Sequence, residues 1–178
     1  LSETKQYAVV TGILGIQFWD MSVLEEPEMI NYMIIDGVFY PDSYTRVVLS
    51  IFWQYPYVYV AAADNGFFIV EASDPNNPVL VDQHEFDPPL RASSIYAMGN
   101  HLFVGAAEGS ESEILDISDP RKPIPIGGGR YFVTDSEGSP KEAYHSGLVG
   151  NWGVFARKEG GGGIMMMDVS DPANPTFA

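Results

Sequence analysis

Four carboxylates recur at matched points of this 178-residue chain: Asp20, Glu71, Asp116 and Asp168. Each stands two residues before a serine (Ser22, Ser73, Ser118, Ser170), and a proline follows each serine by five (Pro27, Pro78, Pro123, Pro175). Carboxylates can act as general acids and bases, or as hard oxygen ligands for calcium. Acid–base work needs two of them within a few ångströms, and calcium needs six or more oxygens around one point. Four acids spaced about fifty residues apart, one per copy of a repeat, predict neither. Accepting backbone N–H groups at the end of a strand is the role their spacing suits.

The remaining reactive side chains are scattered. Glu108, Glu111 and Glu113 crowd one turn and could hold a cation weakly, although a solvated acidic turn is the plainer reading. The run Glu159-Gly-Gly-Gly-Gly-Ile164 has the glycines of a phosphate loop. No Lys-Ser/Thr follows and no helix opens there, and its register with Asp64-Asn65-Gly66 makes it a hairpin turn. Met165-Met166-Met167 continues a strand pattern, with Met166 filling the apolar column; adaptable core packing is expected of it, not copper binding. His84, His101 and His145 fall on different strands, so no histidine set with zinc-like spacing arises. Without cysteine there is no disulfide, thiolate site or thiol nucleophile. The sequence thus shows no catalytic residue, metal site or cofactor fingerprint.

The elements that carry these residues follow from the columns around the serine. Six before it stand Ile16, Phe67, Ser112 and Ile164; four before it stand Phe18, Ile69, Ile114 and Met166. With the acid at minus two, this is a period of two, a pleated strand. Ser-Asp-Pro in three copies (Asp74-Pro75, Asp119-Pro120, Asp171-Pro172) ends it, because proline cannot donate to a ladder. Val23-Leu24 replaces Asp-Pro in the first copy, whose turn must close differently. Glycine opens the strand at Gly15, Gly66 and Gly163, with Glu111 as the exception. Upstream lie further apolar runs, Tyr57–Ala61, His101–Gly105 and Trp152–Ala156, reached through Gly99-Asn100 and Gly150-Asn151 hairpin turns. Each period therefore holds about four short strands, which is a propeller blade.

The expected fold is all-β: a β-propeller of four-stranded blades, with about three and a half to four blades present as part of a larger ring. The blades are expected at roughly 1–34, 46–86, 91–133 and 143–178 within one domain, with Asp135 to Glu142 as a mobile polar connector. On this architecture His145 falls level with Ser94, on the strand that lines a propeller's central channel. Arg91 and Arg46 come near the starts of equivalent strands. Together the three could form a polar funnel that binds an anionic ligand at the channel mouth; a hydrogen-bonded structural histidine is the plainer alternative.

Gly-Phe-Phe-Ile-Val-Glu-Ala-Ser-Asp-Pro-Asn-Asn-Pro and Ile-Met-Met-Met-Asp-Val-Ser-Asp-Pro-Ala-Asn-Pro resemble the LVIVD-repeat β-propeller proteins, whose motif ends a strand in Asp-Val-Ser-Asp-Pro-x-x-Pro. The resemblance extends over all four periods. It implies the propeller fold and, from the habit of the family in bacteria and archaea, a periplasmic or cell-surface location. It supplies no shared catalytic residues to carry over.

Composition narrows the partners. The formal charge of −15 disfavours nucleic acid, whose phosphates need a basic surface. No apolar run is long enough to cross a membrane as a helix. The chain opens at what reads as a second strand (Gln6–Val10) and stops at Pro175-Thr176-Phe177-Ala178. Sheet edges and inter-blade faces at both ends would invite pairing, so other protein subunits or further blades are expected to cover them. The functional expectation is a non-enzymatic interaction scaffold or accessory subunit of an extracytoplasmic assembly. A ligand-binding or enzymatic propeller with its site at the channel mouth is the alternative.

Overall fold

The computed structural model describes residues 6–40, 45–106, 109–158 and 162–178, with the side chains of 144–146 outside that description. Fifteen strands and no helix make up the described residues. The first sheet contains β1 (Tyr7–Thr11), β2 (Gly15–Asp20) and β3 (Glu28–Ile34). The second contains β4 (Ser50–Gln54), β5 (Tyr57–Ala61), β6 (Phe67–Glu71) and β7 (Val79–His84). The third runs β8 (Ala92–Met98), β9 (His101–Ala106), β10 (Glu111–Asp116) and β11 (Ile124–Phe132). The fourth runs β12 (Ala143–Val149), β13 (Trp152–Arg157), β14 (Ile164–Asp168) and β15 (Thr176–Phe177). Within each sheet the strands pair antiparallel in chain order. These are the blades of a propeller-like array, as expected.

The serine columns close one rim. Ser22, Ser118 and Ser170 donate their backbone N–H to Asp20, Asp116 and Asp168 at 2.8, 2.7 and 2.9 Å, and Ser73 donates to Glu71 at 2.9 Å. Serine hydroxyl and backbone donors hold the Asp116 and Asp168 carboxyls below the usual carboxylate range. Where Asp-Pro follows, the aspartate closes the turn again: Asp74 accepts from Asn76 and Asn77, Asp171 from Ala173 and Asn174. The first copy lacks that aspartate and keeps only the backbone closure common to all four, Glu26 N–H to the Val23 carbonyl at 3.1 Å, as Asn77 to Asp74, Lys122 to Asp119 and Asn174 to Asp171. Its Val23 and Leu24 stay exposed.

The sheets stack through three apolar layers, and strand parity decides which neighbour a residue meets. Val58, Val60, Phe68 and Val70 pack back on Ile16 and Phe18 of the first sheet. Their alternates Tyr59, Ala61, Phe67 and Ile69 pack forward on Ile95, Leu102, Val104 and Leu115 of the third. Phe103 and Ile114 pack forward again on Phe155, Met165 and Met167. Each fully buried large apolar side chain contributes about 1.5–3 kcal/mol, so every blade draws its stability from the blades beside it.

Two expectations change. Met165 and Met167 are buried while Met166 is exposed, because the minus-four column faces forward and no described strand lies beyond β14 on that side. The connector from Asp135 to Glu142 is a tied turn and not a loose one. Asp135 accepts from the Glu137 and Ser139 N–H groups, Lys141 pairs with it at 3.3 Å, and Thr134 bridges Pro140.

Candidate functional site at the upper rim

The rim opposite the serine turns carries Arg46, Arg91 and Arg130, while Arg121 and Lys122 lie in the third serine turn. The β5–β6 turn places Ala63 against Ala92 with two backbone hydrogen bonds of 3.0 Å each, stitching the second sheet to the first strand of the third. Beside this stitch Arg91 Nε donates to Asp64 Oδ1 at 2.7 Å, and Nη2 reaches Oδ2 at 3.4 Å. The Asp64 N–H donates to the Thr45 carbonyl at 3.0 Å. Arg46 follows Thr45 directly and lies over the Phe39 ring at 5.5 Å. Arg91 and Arg46 thus meet at one turn, each held by a neighbour in the fold. For His145 the backbone alone is described: Ser146 opposes Phe155 as Ile95 opposes Val104, which sets His145 level with Ser94. β12 packs against β8.

A cavity of about 310 Å³ opens beside Arg91, lined also by Pro89, Leu90, Ala106, Ser110 and Glu111. Behind it stands a cluster that the sequence did not announce. The Arg130 guanidinium reaches Glu111 Oε2 at 2.6 Å and Glu113 Oε2 at 3.4 Å. It also donates to the Pro88 and Pro89 carbonyls at the corner between the second and third sheets. Glu113 is buried, and that burial pushes its carboxyl up, against the pull of Arg130. Glu111 and Glu113 are therefore not a solvated acidic turn; they are strand residues gripping one arginine. Glu108 lies outside the described residues. A signal was present in the sequence: where the second and fourth copies carry Phe68 and Met165, the third carries Glu113, and Arg130 is its partner across β10 and β11.

Chemically the rim is balanced. Each guanidinium in it with a described carboxylate partner is spent on an inter-blade or inter-strand pair. Among the described residues no group of three or more His, Asp or Glu is placed to hold a metal ion. The acids of the serine column sit at the other rim, one per sheet. The other histidines lie elsewhere: His84 stacks on Phe67 at 4.8 Å and meets Phe86 edge-on at 5.0 Å, and His101 lies against Phe103. Of the tetraglycine run, residues 159–161 lie outside the described residues.

The two end sheets carry a second kind of feature. On the fourth sheet the forward face presents Ile164 (73% exposed), Val149 (67%), Met166 (39%) and Trp152 (39%). The Ile164 and Met166 columns are buried in the second and third sheets, at Phe67, Ser112, Ile69 and Ile114, whereas the Val149 and Trp152 columns are half-buried or exposed there too, at Gln54, Met98, Tyr57 and His101. On the first sheet the backward face carries Val10, Gln17, Trp19, Tyr32 and Ile34, also half-buried or exposed. A cavity of about 330 Å³ at its upper edge is lined by Gly12, Ile13, Gln17, Tyr32 and Tyr40. Among the described residues no helix is long and apolar enough to cross a membrane.

Comparison with known proteins agrees with this architecture. The LVIVD repeat family matches residues 56–85, 91–128 and 159–178. No curated protein matches the chain. Among solved structures it is similar to the computationally designed Ika8 protein, at 14% identity and a TM-score of 0.60 over 98% of this chain and 46% of that one. It is also similar to a candidate 6-phosphogluconolactonase from Bacteroides uniformis, at 12% identity and a TM-score of 0.67 over 100% of this chain and 54% of that one. At such identities the likeness is one of fold. The chain spans about half the length of these structures.

Proposed function

We propose that this LVIVD-repeat protein, a run of propeller-type blades, is a non-catalytic interaction scaffold that serves as an accessory subunit of an extracytoplasmic assembly. One observation carries the reading: the forward face of the fourth sheet leaves Ile164, Val149, Met166 and Trp152 in water. An apolar patch of this kind calls for another protein surface against it, a partner subunit or a further blade of a longer chain. The rim chemistry supports it from the other side, since Arg91 is engaged in a pair between the second and third sheets and Arg130 in pairs within the third and in bonds to the Pro88-Pro89 corner. The test is a photo-cross-linking residue at position 164 or 149, with position 124 on an outer strand as control, in the cells that make the protein. A discrete adduct with another polypeptide at the face positions is the expected result. Adducts equally frequent at position 124 would remove the reading.

A second reading rests on the cavity of about 310 Å³ between Arg91 and Glu111, next to the channel strands. There a small anionic ligand would lie against Arg91, with Arg46 and His145 on the same rim. It predicts a thermal shift with a library of small anions that disappears in both Arg91→Ala and His145→Ala. A shift retained in both variants would exclude the site.

A further inference from the structure

We infer that the serine rim docks a cationic segment of a partner protein, whose apolar side chains seat on Tyr55, Met98 and Trp152. This rests on the scaffold reading and names a surface and the chemistry of its partner.

Two kinds of turn share this rim. In the second, third and fourth sheets a hairpin turn joins the first two strands, at residues 54–57, 98–101 and 149–152. Each hairpin is tied to the serine turn beside it. Ala72, Ile117 and Val169 donate their N–H groups to the carbonyls of Pro56, Asn100 and Asn151 at 2.8, 2.7 and 2.9 Å. Gln54 Nε2 donates to the Gly99 carbonyl at 2.8 Å, which sets the second and third hairpins side by side. The hairpins thus form an inner row and the serine turns an outer one.

Tight turns are usually built from small and polar residues, yet Tyr55, Met98 and Trp152 are exposed along the inner row. Tyr55 and Met98 stand on sheets that have a described sheet packed on either side, so no neighbouring blade is left to cover them. At Gly99 and Gly150 a Cβ would meet nothing within 4 Å, so bare backbone and open space lie beside these side chains. Aromatic residues and methionine are what the cores of protein interfaces gather.

Charge selects the occupant. Apart from His101, the three hairpins hold no acidic or basic side chain. The serine turns outside them (20–26, 71–77, 116–122 and 168–174) hold nine carboxylates against two cations, Arg121 and Lys122. The opposite rim instead pairs acids with Arg91, Arg130, Lys141 and Lys158. On the serine rim the side chains of Ser118, Ser170 and Asn174, with backbone donors, hold Asp116, Asp168 and Asp171 below the usual carboxylate range. An apolar row inside an acidic border is complementary to apolar anchors set between lysines or arginines. Three sheets about 10 Å apart make the row about 20 Å long, the span of roughly six extended residues.

The experiment measures fluorescence anisotropy of three labelled peptides of one length against the 178-residue chain. The first alternates lysine with leucine and tryptophan. The second has glutamate for every lysine, and the third has serine for every apolar residue. Only the first is expected to bind, and more weakly at about 0.3 M salt than at about 0.03 M. Met98→Gln with Trp152→His should weaken it by roughly tenfold. These replacements copy Gln54 and His101, which other sheets carry in the same columns, so the turns should fold unchanged. Asp119→Asn with Asp171→Asn keeps the acceptor oxygen of each turn and should weaken binding by roughly threefold in low salt. Glu85→Gln with Glu137→Gln on the opposite rim should leave it unchanged. A photoreactive group on the first peptide should label residues 54–57 and 98–101. Binding of the glutamate or serine peptide as tight as the first, labelling spread over both rims, or affinity unmoved by the Met98 and Trp152 changes would overturn the proposal. If the first peptide does not bind while position 164 yields its adduct in cells, the scaffold reading stands and this surface falls. If neither is seen, both fall.

Discussion

The glycine that opens the repeat strand offers a decisive test of how the blades are held. Gly66 has φ +69°, and a Cβ built on it would lie 2.1 Å from the His84 carbonyl oxygen of the neighbouring strand. Gly15 meets the Met33 carbonyl oxygen at the same 2.1 Å without a positive φ, and Gly99 has φ +58° with nothing within 4 Å. The three positions separate the two costs. Alanine at Gly99 bears only the left-handed backbone penalty, about 1–2 kcal/mol. Alanine at Gly15 bears only the close approach: the outer strand must retreat by about 1 Å, weakening one or two ladder bonds worth about 1 kcal/mol each. Gly66→Ala bears both, about 3 kcal/mol. For a chain of this size 1 kcal/mol moves the melting temperature by about 2–4 °C, so Gly66→Ala should fall by about 6–12 °C and Gly99→Ala by about 2–8 °C. The entropy that alanine removes from the unfolded chain is common to all three and cancels in the comparison. Calorimetry at one fixed protein concentration reads it. A Gly66→Ala variant no less stable than Gly99→Ala would refute the claim that the outer strand's carbonyl is what excludes a side chain.

Other expectations follow from the same contacts. Arg130→Met should destabilise by about 3–5 kcal/mol in urea unfolding, because it strands the buried Glu113 carboxylate, and adding Glu113→Gln should recover part of the loss. Since burial raises the folded-state Glu113 carboxyl, the native chain binds more protons than the unfolded one at this site. Its contribution then favours folding below the unfolded value and fades as pH rises through the raised one, and Glu113→Gln should remove that slope. His84 behaves oppositely, because burial between Phe67 and Phe86 lowers its folded value. Its contribution is full above about 6.5 and is lost as pH falls through the lowered value, and stability measured against pH should lose this step in His84→Phe. Gly127→Ala should loosen the third sheet from the fourth, since its Cβ would lie 2.4 Å from the Ala173 carbonyl oxygen at φ +62°; hydrogen exchange would show β11 and the 169–175 turn opening together.

The blades were legible because the repeat writes the same physical sentence four times, and a period of two cannot be mistaken for a helix when proline halts it. The capping role of Asp20, Glu71, Asp116 and Asp168 was legible for the same reason. Met166 was misread because a column tells which side a residue faces, not whether anything stands there. The Arg130 cage was unread because Arg130 stands on β11 while its partners come from β10 and the Pro88-Pro89 corner, which only the tertiary fold brings together. The Arg91–Asp64 pair joins different sheets and could not be foreseen from a single period. The glycine column was read as a turn signal; its second cause, the close approach of the outer strand, needs the register of β6 against β7.

The third sheet shows what happens when parity and polarity disagree. Its backward column holds Glu113 and its forward column Ser112, at positions where the second sheet carries Phe68 and Phe67. Each polar group is answered within its own sheet, Glu113 by Arg130 and Ser112 by the Tyr131 hydroxyl, whose pKa burial pushes up to about 12. A side chain satisfied at home reaches less far toward the next blade, so the apolar layers thin at the upper half of this sheet. The openings lie there: the 310 Å³ cavity toward the second sheet, and a water-sized gap of about 10 Å³ lined by Ser112, Tyr131 and Phe155 toward the fourth. Replacing Glu113 and Arg130 together by Phe and Leu should therefore tighten the junction and raise stability, in line with buried ion pairs elsewhere. If the rim cavity binds a ligand, the same change should weaken that binding by altering the wall beside Glu111. A double variant that is both more stable and unaltered in every interaction would show that the polar third blade serves only its own sheet.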